Sequence, residues 1–454
     1  MSVTRRALSR LAALTVVVCT GGPAPALDLV AYVPDYRMDE SHFVNTILPK
    51  QLALIEEVRY FGITVTNSGG LTTNAGHLAD LTTLRNLIDA LPESQRPRLV
   101  VALGGAGISD SFDNVAASTT ATNNLAGNIN SLLSQVGAVG IDFDWEHPDE
   151  GDELLVDYPA MLDTVKQVLG NDRVYATVAP SKILPHSVFE GPNAIDGASL
   201  MTYDLGWWAN DPSDPNLGEH SLPVYAEDAL EAWTNPAGTP IPRTWVFGSK
   251  TSIDAPEDHL AIGIPFYGRG YAGSGGAYTY IDLHQNGTTA DGNYYNYFGS
   301  NVWMLGPDLV AERIEYANQQ GLQNVIIWEL GQDLDPDDPD SLLRAAYEAN
   351  LAFQLIPGDA DRDGDVDLDD FDILTENFGQ AVVGGTLQGD FNEDGFVTFD
   401  DFAIQALHFG QSNGESVHAP VPEPASVTLL AACSALAFVP GRRMRQQYSC
   451  GQST

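Results

Sequence analysis

Three carboxylates stand at every second position of Gly140-Ile-Asp142-Phe-Asp144-Trp-Glu146, with Phe143 and Trp145 between them. Alternate side chains of an extended strand share a face, so Asp142, Asp144 and Glu146 are expected to project one way, at roughly 7 Å per pair of residues. Acids stacked this closely raise one another's affinity for protons, and at least one is expected to be protonated near neutral pH, the state a general acid needs. A metal centre is the rival reading, but hard cations take oxygens that converge on one point, and a single strand spreads these apart. A solvated acidic strand end is the plainer alternative. The pattern points to proton transfer by one of the three acids.

Such a strand needs a scaffold. Between Leu27 and about residue 352, short β-branched or apolar runs alternate with longer helical patterns. Strands are expected at 29–33, 58–64, 98–103, 139–145, 173–178, 199–203, 260–265 and 324–328. Strand and helix in alternation imply an α/β fold with a parallel sheet, and eight repeats in roughly 320 residues imply a closed (β/α)8 TIM barrel over residues 27–353. An open doubly wound sheet is the structural alternative. In a barrel, residues at the carboxyl ends of strands form the active face.

Further motifs fall in order at those strand ends: Ala102-Leu-Gly104-Gly105, Met201-Thr202-Tyr203-Asp204, Gly263-Ile-Pro265-Phe-Tyr267-Gly268-Arg269 and Trp328-Glu329-Leu-Gly331-Gln-Asp333. Together with the acidic strand they resemble glycoside hydrolase family 18, the chitinase family, over about residues 28 to 350. Two positions depart from the family pattern, Val139 in place of the first Asp of the strand-four motif and Ala102 in place of the usual Ser. The resemblance implies hydrolysis of an N-acetylglucosamine polymer, chitin first, by a retaining, substrate-assisted route without a catalytic cofactor. It implies Glu146 as general acid, Asp144 holding the sugar's acetamido N–H, Tyr203 positioning its carbonyl, and Asp142 sharing a proton with Asp144. Asp204, Arg269 and Tyr267 are then expected to bind sugar, and Trp328 to floor the site. An ion pair of Arg269 with Asp204 or Glu329, and a barrel plug at Trp328, are the structural alternatives. Trp207 and Trp208 extend the cleft or merely cap a helix. Other hydrolases of the family, acting on N-glycans or peptidoglycan, and a non-catalytic lectin are the competing functions, and the intact Glu146 argues against the last.

From Gly358 to Gln411 the chain changes character. Asp359-Ala-Asp361-Arg-Asp363-Gly364 recurs as Asp390-Phe-Asn392-Glu-Asp394-Gly395, and Asn377-Phe-Gly-Gln380 as His408-Phe-Gly-Gln411, both at an offset of 31 residues. Each repeat puts oxygens at loop positions 1, 3, 5, 9 and 12 with Gly at 6: Asp359, Asp361, Asp363, Asp367 and Asp370, then Asp390, Asn392, Asp394, Thr398 and Asp401. This is the EF-hand spacing, expected to hold two structural Ca2+ ions. Two loops each followed by a helix resemble a type I dockerin, a small α-helical module whose partners are cohesin domains; a rigid stalk is the other use of it.

The termini read as addresses. Arg5, Arg6 and Arg10, the apolar run 11–18 and Ala24-Pro25-Ala26 make residues 1–26 a secretory signal peptide. Residues 412–420 form a polar linker, and residues 421–454, with Pro422-Glu423-Pro424, an apolar run and Arg442, Arg443 and Arg445, resemble a PEP-CTERM sorting signal with a membrane segment. An exported envelope or extracellular protein is expected. Cys19, Cys433 and Cys450 all fall in these ends, so neither a disulfide nor a cysteine nucleophile is expected in the folded body. The net charge of -40 argues against nucleic acid as a partner.

Overall fold

The computed structural model describes residues 27–205, 220–240, 251–270, 276–289, 292–354, 356–361, 365–382, 385–392 and 394–411. The expected signal peptide at 1–26, Trp207 and Trp208, Asp363, and the linker and sorting segment from 412 onward lie outside the described residues. No helix among the described residues is long and apolar enough to cross a membrane.

Seven strands, β1 (Asp28–Pro34), β2 (Glu57–Ile63), β3 (Arg98–Gly104), β4 (Gly140–Asp144), β5 (Arg173–Val178), β6 (Gly197–Leu200) and β7 (Leu260–Pro265), precede an antiparallel sheet. That sheet comprises β8 (Tyr267–Gly270), β9 (Ala277–Thr279), β10 (Thr288–Thr289), β11 (Tyr294–Tyr297) and β12 (Ser300–Trp303). An eighth parallel strand, β13 (Asn324–Trp328), then closes the barrel in the order β1-β13-β7-β6-β5-β4-β3-β2. The sequence pattern placed the eight barrel strands, three of them with these same bounds, but not the second sheet. The Gly263–Arg269 motif is consequently split: Gly263 and Pro265 end β7, and Tyr267 and Arg269 sit on β8.

Alternation along each strand sorts the core into two sets. Leu29, Ala31 and Val33 of β1 and Ile141 and Phe143 of β4 face outward into one continuous apolar layer shared with the surrounding helices. Val30, Tyr32, Ala102, Ala261 and Ile326 pack inside the barrel, with Phe61 and Trp328 above them. Each large apolar side chain buried in the outer layer contributes about 1.5–3 kcal/mol. Helix starts are fixed locally: the Asn74 side chain caps the helix Ala75–Ala90 by accepting from the His77 N–H, and Ser118 caps Thr119–Val136 by accepting from the Ala121 N–H.

The two repeats fold alike. Each supplies a helix, Leu368–Asn377 and Phe399–His408, opened by a capping box, Asp367 with Asp370 and Thr398 with Asp401. Asp370 Oδ1 accepts from the backbone N–H groups of Ala360 and Asp361, and Asp401 Oδ1 from those of Phe391 and Asn392. The internal repeat therefore extends to individual hydrogen bonds.

Candidate active site

β4 ends at Asp144, two residues short of the acid that sequence alternation placed on it. Glu146 lies just beyond, its backbone clamped by Ser109: the Glu146 N–H donates to Ser109 Oγ and that hydroxyl donates back to the Glu146 carbonyl, both at 3.1 Å. The close approach of β3 makes this possible. Gly104 has φ 101, and a Cβ there would lie 2.3 Å from the Asp144 carbonyl oxygen, while the Gly105 N–H donates to that oxygen at 2.7 Å. No larger residue fits Gly104 without moving β4.

Asp142 faces the barrel interior, fully buried, and does not reach the cleft. Tyr32 donates its hydroxyl to Asp142 Oδ2 at 2.7 Å and Thr177 donates to Oδ1 at 2.9 Å. Asp144 stands one step higher, 4% exposed, and its Oδ1 has no hydrogen-bond partner among the described residues. Burial, then the charges of Glu146 and Asp142, push its carboxyl well above the usual carboxylate range. Glu146 is pushed up to about 7, first by burial and then by the charge of Asp204. Two carboxyls of raised basicity stacked in one place are what the spacing of the motif predicts.

These acids open into a cleft of about 780 Å³ at the carboxyl ends of the barrel strands, lined also by Tyr203, Asp204, Tyr267, Arg269 and Trp328. Every expected catalytic or sugar-binding residue is thus in one place, with Asp142 directly beneath. Trp328 sits edge-on to Phe61 at 5.0 Å and tilted against Tyr32 at 5.4 Å, so it is at once the top of the barrel packing and a wall of the cleft. Tyr203 packs edge-on to Tyr267 at 6.1 Å.

Arg269 and Asp204 form a two-armed ion pair, the Nε arm at 2.6 Å from Oδ1 and Nη2 on Oδ2. Glu329, fully buried, pairs instead with Arg37 at 2.9 Å. Burial works to raise the Asp204 carboxyl, but hydrogen bonds from Arg269 and His220 outweigh it and hold Asp204 far below the usual range. Asp204 has φ 56, in the left-handed region, with its N–H 3.3 Å from His220 Nδ1. Asp333 of the strand-eight motif is structural, accepting from Ser341 Oγ and from the N–H groups of Leu342 and Leu343.

Several contributors escaped the sequence reading. Tyr32, Arg59 and Thr177 surround Asp142, and their only signal was a polar residue at an inward position of an expected strand. His220 lies beyond a long connection from Asp204 and gave no signal. Of the two departures from the family pattern, Val139 precedes β4 and is 38% exposed, while Ala102 lies beside Asp142 in the β3–β4 register and offers it no donor.

Groups of three acidic side chains with oxygens within 4.8 Å of one another occur among the described residues only in the first C-terminal repeat: Asp359, Asp361 and Asp370, and Asp365, Asp367 and Asp370. Four of the five ligands expected in that loop are among them, joined by Asp365, which was not among the expected ligands. In the second repeat Asp390 accepts from the N–H groups of Asp394 and Gly395, and Asn392 and Asp394 lie 3.3 Å apart.

A closed (β/α)8 barrel carrying a protonatable glutamate above a buried aspartate at the end of its fourth strand belongs to the class of glycoside-cleaving barrels. The family model for glycosyl hydrolases family 18 matches residues 28–333, more than half of the chain, and the chain belongs to that family. It is similar to chitinase A1 of Niallia circulans, 25% identical over 52% of this chain and 40% of that protein. Chitinase C of Streptomyces lividans is 30% identical over 43% of this chain and 35% of that protein. The chain thus spans 40% or less of the length of these two relatives. Its fold resembles that of the Group IV chitinase of Ostrinia furnacalis, with a TM-score of 0.55 and 16% identity over 71% of this chain and 99% of that one.

Proposed function

We propose that this protein is an exported chitinase that hydrolyses β-1,4-linked N-acetylglucosamine polymers with retention of configuration. The observation that carries the reading is Glu146, its carboxyl near 7, above a buried Asp144 whose Oδ1 is unpartnered among the described residues. In the proposed scheme Glu146 gives its proton to the glycosidic oxygen as the bond from C1 breaks. The acetamido oxygen of the same sugar bonds to C1, forming a cyclic oxazolinium, while Asp144 Oδ1 accepts the acetamido N–H and Tyr203 donates to the acetamido oxygen. Glu146, now a carboxylate, takes a proton from the water that attacks C1 and reopens the ring. The relatives' names support the choice of chitin.

Two further parts of the reading rest on sequence. Residues 358–411 are a dockerin-like module holding two structural Ca2+ ions and suited to a cohesin-bearing partner, and the clustered acids of its first loop support this. Residues 1–26 and 421–454 direct export and retention at the envelope. The catalytic reading is tested by incubating the protein with chitin oligomers, glycoproteins and peptidoglycan and comparing products by mass spectrometry. Cleavage of chitin oligomers alone supports a chitinase, release of N-glycans or muropeptides points to another activity of the family, and cleavage of cellulose oligomers, which lack the acetamido group, rules out the substrate-assisted scheme.

A further inference from the structure

One charge inside the barrel has no part in this scheme. Arg59 projects inward from β2 and is fully buried. Its Nε donates to Glu57 Oε1 at 2.9 Å, and its Nη1 donates to Ser199 Oγ at 3.1 Å and to the Tyr32 hydroxyl at 3.2 Å. The same Nη1 lies 3.4 Å from Asp142 Oδ2, and the guanidinium stacks over Tyr175 at 4.3 Å. Nη2 has no partner among the described residues. Burial works against the charge, yet Asp142, then Tyr32 and Glu57, outweigh it and keep Arg59 a cation.

Glu57 alone does not account for an arginine here, because it also receives the Tyr175 hydroxyl at 3.2 Å and Arg98 at 3.4 Å. What Arg59 adds is contact with the foot of the catalytic column. Asp142 is faced by Tyr32 from β1, Arg59 from β2, the methyl of Ala102 from β3, Asp144 from its own strand and Thr177 from β5. Arg59 is the one cation in that shell among the described residues.

We propose that Arg59 is a positioning residue for catalysis, fixing Asp142 as the anion at the base of the column so that the buried proton above it sits on Asp144, facing Glu146 and the substrate. An opposite charge at this distance in a dry interior favours the ionised carboxylate strongly. An anion below then holds the proton on Asp144, whose carboxyl burial and the neighbouring charges already raise. From there one Asp144 oxygen shares that proton with Glu146, leaving Oδ1 to accept the acetamido N–H. The inference rests on the roles proposed above for Asp144 and Glu146.

The test compares the wild type with Arg59→Met, Arg59→Lys, Asp142→Asn and the double variant Asp142→Asn/Arg59→Met. Two quantities are read: the infrared band of protonated buried carboxyls at neutral pH, and kcat against pH on N-acetylglucosamine oligomers. Arg59→Met is expected to gain one protonated carboxyl and to move the acid limb of the kcat profile up by about one pH unit or more, the usual scale for losing an opposite charge. At the acid end of the profile this appears as a loss of at least ~10-fold in kcat. Arg59→Lys keeps the limb near the wild-type position, and in the Asp142→Asn background Arg59→Met adds neither band nor shift. A merely structural arginine would lower the melting temperature and leave band and limb in place, which overturns the proposal; so does an equal shift in the Asp142→Asn background. If Arg59→Met does not fold, Glu57→Gln/Arg59→Met, which removes both buried charges, is read in the same way. Should the wild type cleave no such oligomer, the proposed function fails while the infrared comparison still decides the role of Arg59.

Discussion

In the proposed scheme Glu146 acts through a single proton, and its raised affinity for protons sets when that proton is present. Replacing it by Gln keeps the shape and removes the acid, so kcat on chitin oligomers is expected to fall by at least ~10²-fold while oligomer binding, measured calorimetrically, persists. Retained turnover would end the assignment. The pH dependence follows in sign: a general acid acts while protonated, so activity is expected to hold below pH 7 and to decline as pH rises through the Glu146 value of about 7. Asp204 contributes to that value by its negative charge, second to burial. Asp204→Asn should therefore bring the alkaline limb to lower pH, and a limb that stays or rises would show that another group sets it. Asp142, Asp144 and Glu146 were legible because carboxylates at alternate positions between large apolar rings have few structural explanations, whereas Asp204 was legible only through the family resemblance of its motif. Arg59 and His220 were not, since their meaning comes only from what the closed barrel and a long connection bring against them.

Element by element, the strands were legible where both faces are buried, because a fully apolar run bounded by turns has one reading. β7, Leu-Ala-Ile-Gly-Ile-Pro, is such a run; β5 and β13, which also carry Arg173, Thr177 and Asn324, are buried along nearly their whole length, and all three strands have the expected bounds. At the active face the pattern overshot. Expected strands ran to Trp145 and Tyr203, whereas β4 stops at Asp144 and β6 at Leu200, because the chain leaves the sheet there to turn Glu146 and Asp204 toward the cleft. The second sheet was missed for another reason: β9, β10 and β12 are short and partly exposed, and carry little of the alternation that marks a strand. Packing between elements yields its own prediction at Gly263 of β7, where a Cβ would lie 2.6 Å from the Tyr203 ring. Gly263→Ala must push that ring, and misplacing a positioning group by about 1 Å costs as much as ~10²-fold in rate. The expected outcome is a fall in kcat much larger than the change in melting temperature; the reverse pattern would make Tyr203 a packing residue only.

At the scale of the whole molecule, two acidic systems obey different rules. The carboxylates of the strand-four motif are held by strand pairing, backbone clamps and apolar walls, and the proposed reaction takes its nucleophile from the substrate rather than from a metal-bound water. In the repeats 14 acidic residues between Asp359 and Asp401 face Arg362 alone, and repulsion among them opposes the compact form unless cations are bound. Calcium that binds the folded repeats and not the unfolded chain stabilises them in proportion to the logarithm of its concentration. A fragment of residues 358–411 is therefore expected to be largely unfolded in chelator and to gain helical circular dichroism as calcium is added. The barrel should not respond, so a fragment of residues 27–353 is expected to cleave chitin oligomers at the same rate with chelator or with calcium. Loss of that activity in chelator would mean that the catalytic reading is wrong in kind. A flat dichroism titration of the short fragment would instead leave the repeats as an acidic segment without a calcium role, and the two outcomes are separable because each fragment carries only one of the two acidic systems.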